Sequence, residues 1–255
     1  MSRPDPANLF DMRDRVALVT GGSRGLGLSI ARALSAAGAR VVIASRKLEA
    51  CEDAARIVES EGGMALPLAC NMGHADQVRR LVDETIAEYG RLDCLVNNAA
   101  LALRLRLADF DEGAFDKSLA VNLRGPLVLM HHALPHLERS DAASVVNVIS
   151  IGGMRGSQSL LGYGSAKAAL QHATASTASE LAPRGIRVNA IAPGPFKTSM
   201  LGGGGAEFES AAARNTLLKR VAEPDEIMGA ALFLASAASS FVTGSVLVVD
   251  GGALA

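Results

Sequence analysis

The sequence has no tryptophan and only two tyrosines among its 255 residues. A core without large aromatics must be built from Ala, Val, Leu and Ile, and such small side chains suit closely packed layers of helix and sheet. Cysteine is scarce as well. Cys51, Cys70 and Cys94 lie far apart with no CxxC spacing, which argues against zinc, or any metal, and against a disulfide framework. A few buried thiols in a reducing cytosol fit better. Neither sign of charge is in excess: 25 Lys and Arg stand against 26 Asp and Glu. The chain therefore offers no electrostatic footprint for nucleic acid or for an anionic membrane. No apolar run reaches the ~18 residues of a membrane helix. The polar stretch Met1–Arg15, with Pro4 and Pro6, lacks the apolar segment of a secretion signal. The expectation is a soluble, cytoplasmic protein.

What is present is an alternation of short apolar runs with longer amphipathic segments. Strands are expected at Val16–Val19, Arg40–Ala44, Met64–Leu68, Leu92–Val96, Val145–Ile149, Arg187–Ile191 and Val246–Val249. Pro67 assigns the third of these an outer position. Helices are expected over Gly25–Ala37, Leu48–Glu61, Ala75–Tyr89, Asp116–Leu137, Tyr163–Leu181 and Ala222–Ala235. Pro126 should kink or break the long one. Nearly all-apolar strands alternating with helices imply an α/β fold: one doubly wound parallel sheet with helices on both faces. Residues 1–255 read as a single domain, with an extension over residues 1–14. Two segments break the rhythm, Ile151–Gly162 and Met200–Gly205. They are either flexible connections or, as their place after strand ends favours, parts of a substrate lid, the second spanning residues 199–216.

The first strand ends in Thr20-Gly21-Gly22-Ser23-Arg24-Gly25-Leu26-Gly27, which opens the first helix. Glycines permit a tight turn and close approach of backbone to a pyrophosphate, and the helix N-terminus offers it free N–H groups. Gly21, Ser23, Arg24, Gly25, Leu26 and Gly27 are thus candidate cofactor contacts in a Rossmann-type dinucleotide fold. The spacing T-G-x-x-x-G-x-G resembles the short-chain dehydrogenase/reductase family, and later motifs repeat the likeness from about Val16 to Gly252. After the second strand comes Ser45-Arg46-Lys47, where an NAD enzyme would carry an acid for the ribose hydroxyl. Arg46, with Arg24 opposite, suits a 2′-phosphate, so NADP(H) is expected ahead of NAD(H); the plainer reading is a pair of solvated charges opening a helix.

The resemblance implies further contacts. Asn71, followed by Met72, stands where the family usually has an Asp that accepts from the adenine amine. Asn97-Asn98-Ala99-Ala100 departs from the family's N-N-A-G at Ala100, which would be strained if that position needed positive φ; Asn98 is the cofactor-side residue of this motif. Pro193-Gly194-Pro195-Phe196-Lys197-Thr198 resembles the segment that holds the nicotinamide carboxamide, with Phe196 and Thr198 as its candidates.

The strongest signal is Tyr163-Gly-Ser-Ala-Lys167. Residues i and i+4 share a helix face, so Lys167 can bring an ammonium near the phenol. A tyrosine has an ordinary pKa near 10 and needs a shift of roughly 3 units to work near pH 7. Ser150, at a strand end, can hydrogen-bond the substrate oxygen. Asn122 is a poor helix-interior residue; in the family such an Asn holds a water that links the lysine to solvent. Asn122, Ser150, Tyr163 and Lys167 form the candidate catalytic set, and Tyr163 and Lys167 also face the cofactor.

These readings imply an oxidoreductase moving a hydride between NADP(H) and a ketone or secondary alcohol. The substrate stays open: a 3-oxoacyl group on a carrier protein, with Arg184 meeting an acidic carrier or serving as a plain helix-end cation; a small polyol or sugar acid; or a hydrophobic ketone against Met154, Leu160, Leu161, Phe196 and Met200. The rival from another class is a catalytically silent NADP-binding sensor or scaffold. The resemblance implies a homotetramer, or a homodimer.

Overall fold

A computed structural model describes residues 8–199 and 205–255. The apolar runs form β1 (Val16–Thr20), β2 (Arg40–Ser45), β3 (Met64–Ala69), β4 (Cys94–Asn97), β5 (Ser144–Val148), β6 (Arg187–Pro193) and β7 (Val246–Val249). They lie parallel in one sheet of order β3-β2-β1-β4-β5-β6-β7. Pro67 does sit in the outermost strand, β3, opposite Ile43, where a missing ladder donor is tolerated.

Successive strand residues point to opposite faces, and both faces are covered. Ala17, Val19, Val41, Ile43 and Val96 pack with Ile30 and Leu34 of α1 (Gly25–Ala36), Ala54 and Val58 of α2 (Leu48–Ser60), and Leu234 of the final helix, Met228–Ala235. Val16, Leu18, Val42, Leu95 and Val145 pack on the other side. There they meet Val78 and Leu81 of α3 (Ala75–Tyr89) and Leu129 and Ala133 of α5 (Gly125–Leu137). The same face receives Ala178 and Leu181 of α6 (Leu161–Leu181). From β1 the chain runs outward to β2 and β3, then returns to place β4 on β1's other side. Such a reversal of strand order opens a crevice at the carboxyl ends of the strands.

The expected long helix is a continuous helical run from Glu112 to Leu137 with a widened turn inside it. α4 (Glu112–Leu119), capped by Asp111, leads into a widened turn, Ala120–Arg124, whose closing bond runs from Gly125 N–H to the Ala120 carbonyl. Pro126 follows that turn directly, in the first turn of α5, so the irregularity expected at this proline takes the form of a widened turn rather than a break. Of the expected lid, residues 200–204 lie outside the described part, and α7 (Gly205–Arg214) follows them. The segment Pro224–Ile227 is a tight 3₁₀ turn ahead of α8 (Met228–Ala235). The described end of the N-terminal extension is packed down: Met12 is buried, and its N–H donates to the Ala37 carbonyl at 2.8 Å. Among the described residues no helix is long and apolar enough to cross a membrane.

Candidate active site

The carboxyl ends of β1, β2, β4, β5 and β6 open onto one cleft of about 1120 Å³. Its floor at β1 is the glycine turn. Gly21 (φ +65°) and Gly25 (φ +54°) occupy the left-handed region that favours glycine. Gly27 has a different reason: a β-carbon there would fall 2.2 Å from the Gly21 carbonyl oxygen. Asn98 completes the turn, its Nδ2 donating to the Thr20 carbonyl at 2.9 Å and to the Gly21 carbonyl at 3.1 Å. The Thr20 hydroxyl oxygen accepts from the N–H groups of Asn98 and Ala99, both at 3.1 Å. Asn98 lines the cleft as expected, but its amide nitrogen shapes the turn. Thr20, a polar residue closing an apolar run, is a stitch that sequence reasoning did not single out.

The turn suits an anion. α1 begins at Gly25 with no side-chain cap and no acid in its first turn, so its leading N–H groups face the cleft with the positive end of the helix dipole. Ser23 and Leu26 line the same wall. At the end of β2, Arg46 and Lys47 are exposed along the rim, as is Arg24. Ser45 turns its hydroxyl inward, 3.1 Å from Cys51 Sγ.

Asn71 lines the cleft beside buried Met72. Its Oδ1 accepts the Gly73 N–H at 3.1 Å, so part of its accepting capacity serves its own turn. Ala100, the departure from the family pattern, is not among the positive-φ residues, which outside glycine are Asp14 and Lys219 in the described chain. Alanine fits there without strain.

Ser150 follows β5 and caps the turn Ile151–Gly153, its oxygen accepting the Gly152 N–H at 3.0 Å. Glycine lets this turn press on α6. A β-carbon on Gly153 would lie 2.7 Å from the Ala168 nitrogen, and one on Gly164 2.7 Å from the Gly152 carbonyl oxygen. The approach sets Ser150 against Tyr163. Tyr163 is 7% exposed and Lys167 1%. As the i,i+4 spacing requires, the two share a face, with Lys167 Nζ 5.8 Å from the Tyr163 ring centroid. Nζ donates to the Val148 carbonyl at 2.6 Å, so the ammonium sits under the ring and is anchored on β5. Burial holds the Tyr163 phenol above its ordinary value, with the Ser150 hydroxyl pulling it back. Burial also lowers Lys167 to about 8. Desolvation is thus the larger influence on Tyr163, and Ser150 is the group that opposes it.

Asn122 is fully buried in the widened turn. Its Oδ1 accepts the Leu101 N–H at 2.9 Å, and its Nδ2 donates to the Leu101 carbonyl at 2.8 Å and the Ser118 carbonyl at 2.9 Å. It stands behind the site and fixes the loop after β4. Pro193 ends β6. Gly194 packs so near Asp250 that a β-carbon would meet its Cα at 2.6 Å. Phe196 turns its ring into the core, and Thr198 stands against Gly25, 3.4 Å from where a β-carbon would be. Pro193, Gly194, Phe196 and Thr198 all line the cleft.

A glycine cradle and a Ser/Tyr/Lys set in one cleft define a type of protein, and the comparisons agree. The family model described as enoyl-(acyl carrier protein) reductase matches residues 21–253. The chain belongs to the short-chain dehydrogenase/reductase family. A cis-4-hydroxycyclohexanecarboxylate dehydrogenase of Sinomonas cyclohexanicum is 39% identical over 94% of this chain and 96% of its own. A 3-oxoacyl-[acyl-carrier-protein] reductase of Thermotoga maritima is 33% identical over 94% and 98%. A crystal structure of a short-chain dehydrogenase/reductase from Mycobacterium marinum superposes with a TM-score of 0.92 at 34% identity, covering 97% of this chain and 98% of that one. Short-chain dehydrogenase/reductases use nicotinamide cofactors.

Of the apolar residues suggested for a hydrophobic substrate, Leu160 and Phe196 line the cleft, whereas Met154 and Leu161 do not; Met200 lies outside the described residues. Sequence reasoning missed Leu101, Arg104 and Lys117, which do line it, while Ser157 and Ser159 fall in the segment Ile151–Gly162 already set beside the substrate. Leu101 and Arg104 stand in no periodic position; the clamp on Leu101 and the bridge from Leu105 to Leu160 bring their loop to the cleft.

Proposed function

We propose that this protein is an NADP(H)-dependent oxidoreductase that interconverts a ketone and a secondary alcohol, with Tyr163 as its general acid and base. The observation that carries the reading is the placement of Ser150, Tyr163 and Lys167 in the same cleft as the glycine cradle. That cradle fits a dinucleotide: glycine at 21 and 27 lets the turn close on Ala99, Asn98 and its own carbonyl, and the uncapped start of α1 leaves N–H groups for a pyrophosphate. Gly21, Ser23, Arg24, Gly25, Leu26 and Gly27 hold the pyrophosphate side. Arg24 and Arg46 favour a 2′-phosphate, with Ser45, Asn71, Met72 and Asn98 beside them. Tyr163, Lys167, Pro193, Gly194, Phe196 and Thr198 form the nicotinamide end. When bound, the nicotinamide supplies or receives the hydride.

The protein's own part is proton and position. The Ser150 oxygen accepts from Gly152, and its hydroxyl, which faces the Tyr163 phenol, would turn its hydrogen to the substrate oxygen. In reduction Tyr163 gives that oxygen its phenolic proton; in oxidation the tyrosinate takes the alcohol proton. Lys167 keeps positive charge under the ring, where it favours the tyrosinate. Asn122 holds the loop that carries Leu101 against the site.

Loss of nicotinamide absorbance on a carbonyl panel tests the reading. Tyr163→Phe is expected to bind NADPH normally and lose turnover on the order of 10²–10⁴. Unchanged turnover overturns the acid/base role, and silence of the wild type on every carbonyl favours a sensor or scaffold. A second reading, reduction of a 3-oxoacyl carrier-protein thioester, draws on the Thermotoga maritima relative. Arg184 does not favour it, being paired with Glu138 at 2.8 Å. The family likeness also favours a homotetramer or homodimer, and exposed Phe241, Leu217 and Leu218 are apolar surface a partner copy would cover.

A further inference from the structure

The geometry points to an anionic substrate, a carbonyl compound carrying a carboxylate, held by Arg104. This rests on the oxidoreductase reading above and narrows its substrate. The first observation is charge. The cleft is lined by Arg24, Arg46, Lys47, Arg104, Lys117 and Lys167, and no Asp or Glu lines it among the described residues. Yet the chain as a whole carries a net charge of −1, so the cleft segregates the positive charge.

The second is position. Arg24, Arg46 and Lys47 lie at the glycine turn and the end of β2, where a dinucleotide's phosphates belong. Arg104 is at the other end. Its neighbour Leu105 donates its N–H to the Ser159 carbonyl at 2.8 Å and accepts the Leu161 N–H at 3.3 Å. Leu105 and Leu160 thus pair as a short parallel bridge. That bridge ties the loop after β4 to the start of α6, within one turn of Tyr163. Asn122 fixes the loop's other end through Leu101. Arg104 is therefore set on a tethered loop beside the catalytic end.

The third is chemistry. Arg104 is exposed, and among the described residues no carboxylate pairs with it, although Arg106, two residues on, pairs with Asp109. Ser157 and Ser159 add hydroxyls to the same wall. A guanidinium with adjacent hydroxyls suits a carboxylate, which it can grip with two parallel hydrogen bonds. It does not suit a wholly apolar ring.

The test uses the full chain with NADPH and matched pairs: 4-oxopentanoate and 4-oxocyclohexanecarboxylate, each beside its methyl ester, with cyclohexanone and acetoacetyl-coenzyme A as further arms. The acids are expected to exceed their esters in kcat/KM. Arg104→Gln is expected to cost about 10- to 100-fold on the acids, mainly in KM, and little on the esters, with Arg104→Lys recovering part of the loss. Esters that react as well as acids, or an equal loss on both, overturn the assignment and leave the hydride-transfer reading intact. Acetoacetyl-coenzyme A preferred over every acid overturns it in favour of thioester reduction. Silence on all of these compounds ends both readings.

Discussion

Asn122 grips both backbone groups of one residue, accepting the Leu101 N–H at 2.9 Å and donating to the Leu101 carbonyl at 2.8 Å. The candidate catalytic Asn122 is thus also a clamp on a loop. Asn122→Asp removes the donor and sets a carboxylate against the Leu101 and Ser118 carbonyls. The expected cost is about 1–3 kcal/mol in stability, with KM for the carbonyl rising and NADPH affinity nearly kept. Urea unfolding and steady-state kinetics measure these; an unshifted midpoint would show that the clamp does nothing.

Lys167 carries a pH signature. Its folded value is about 8 against an ordinary 10.5. Between those values the unfolded chain binds more protons, so stability rises with pH across the window, and the burden is full below pH 8. Lys167→Met keeps the volume and removes the charge. It is expected to be inactive yet more stable, by roughly 3 kcal/mol at pH 7, with the gap narrowing by pH 9.5. Chemical denaturation at the two pH values decides; a constant gap contradicts the assignment.

Arg46→Asp tests the choice of dinucleotide. A carboxylate at the end of β2 repels a 2′-phosphate and accepts from a ribose hydroxyl instead. The ratio of kcat/KM for NADPH over NADH is expected to fall by about 10- to 100-fold. An unmoved ratio assigns the preference elsewhere.

Ala100→Gly separates strain from accommodation. Since Ala100 avoids the left-handed region, glycine relieves nothing there and adds freedom to the unfolded chain. A loss of about 0.4–1 kcal/mol is expected. A gain in thermal midpoint would reveal strain after all.

The layered fold was legible because its signals are local. All-apolar runs such as Val16–Val19 become strands whose side chains alternate between two buried faces. Tyr163 and Lys167 were legible because helix geometry alone puts i and i+4 together. Their electrostatics were not, since the shift depends on how deeply the surrounding fold buries each group. An irregularity in the segment 112–137 was legible at Pro126, but not its form: the widened turn accompanies a side chain that reaches to Leu101, twenty-one residues back. Arg104 escaped as well, because a bridge between Leu105 and Leu160 leaves no mark on the residues around either.

That bridge makes the molecule divisible in an evolutionary sense. The hydride machinery rests on strand ends and glycine contacts that tolerate little change. The wall facing the incoming molecule hangs on one short backbone pairing and one amide clamp. Residues 102–104 and 157–159 are therefore expected to exchange as a cassette, with substrate preference changing while the affinity for NADPH stays put.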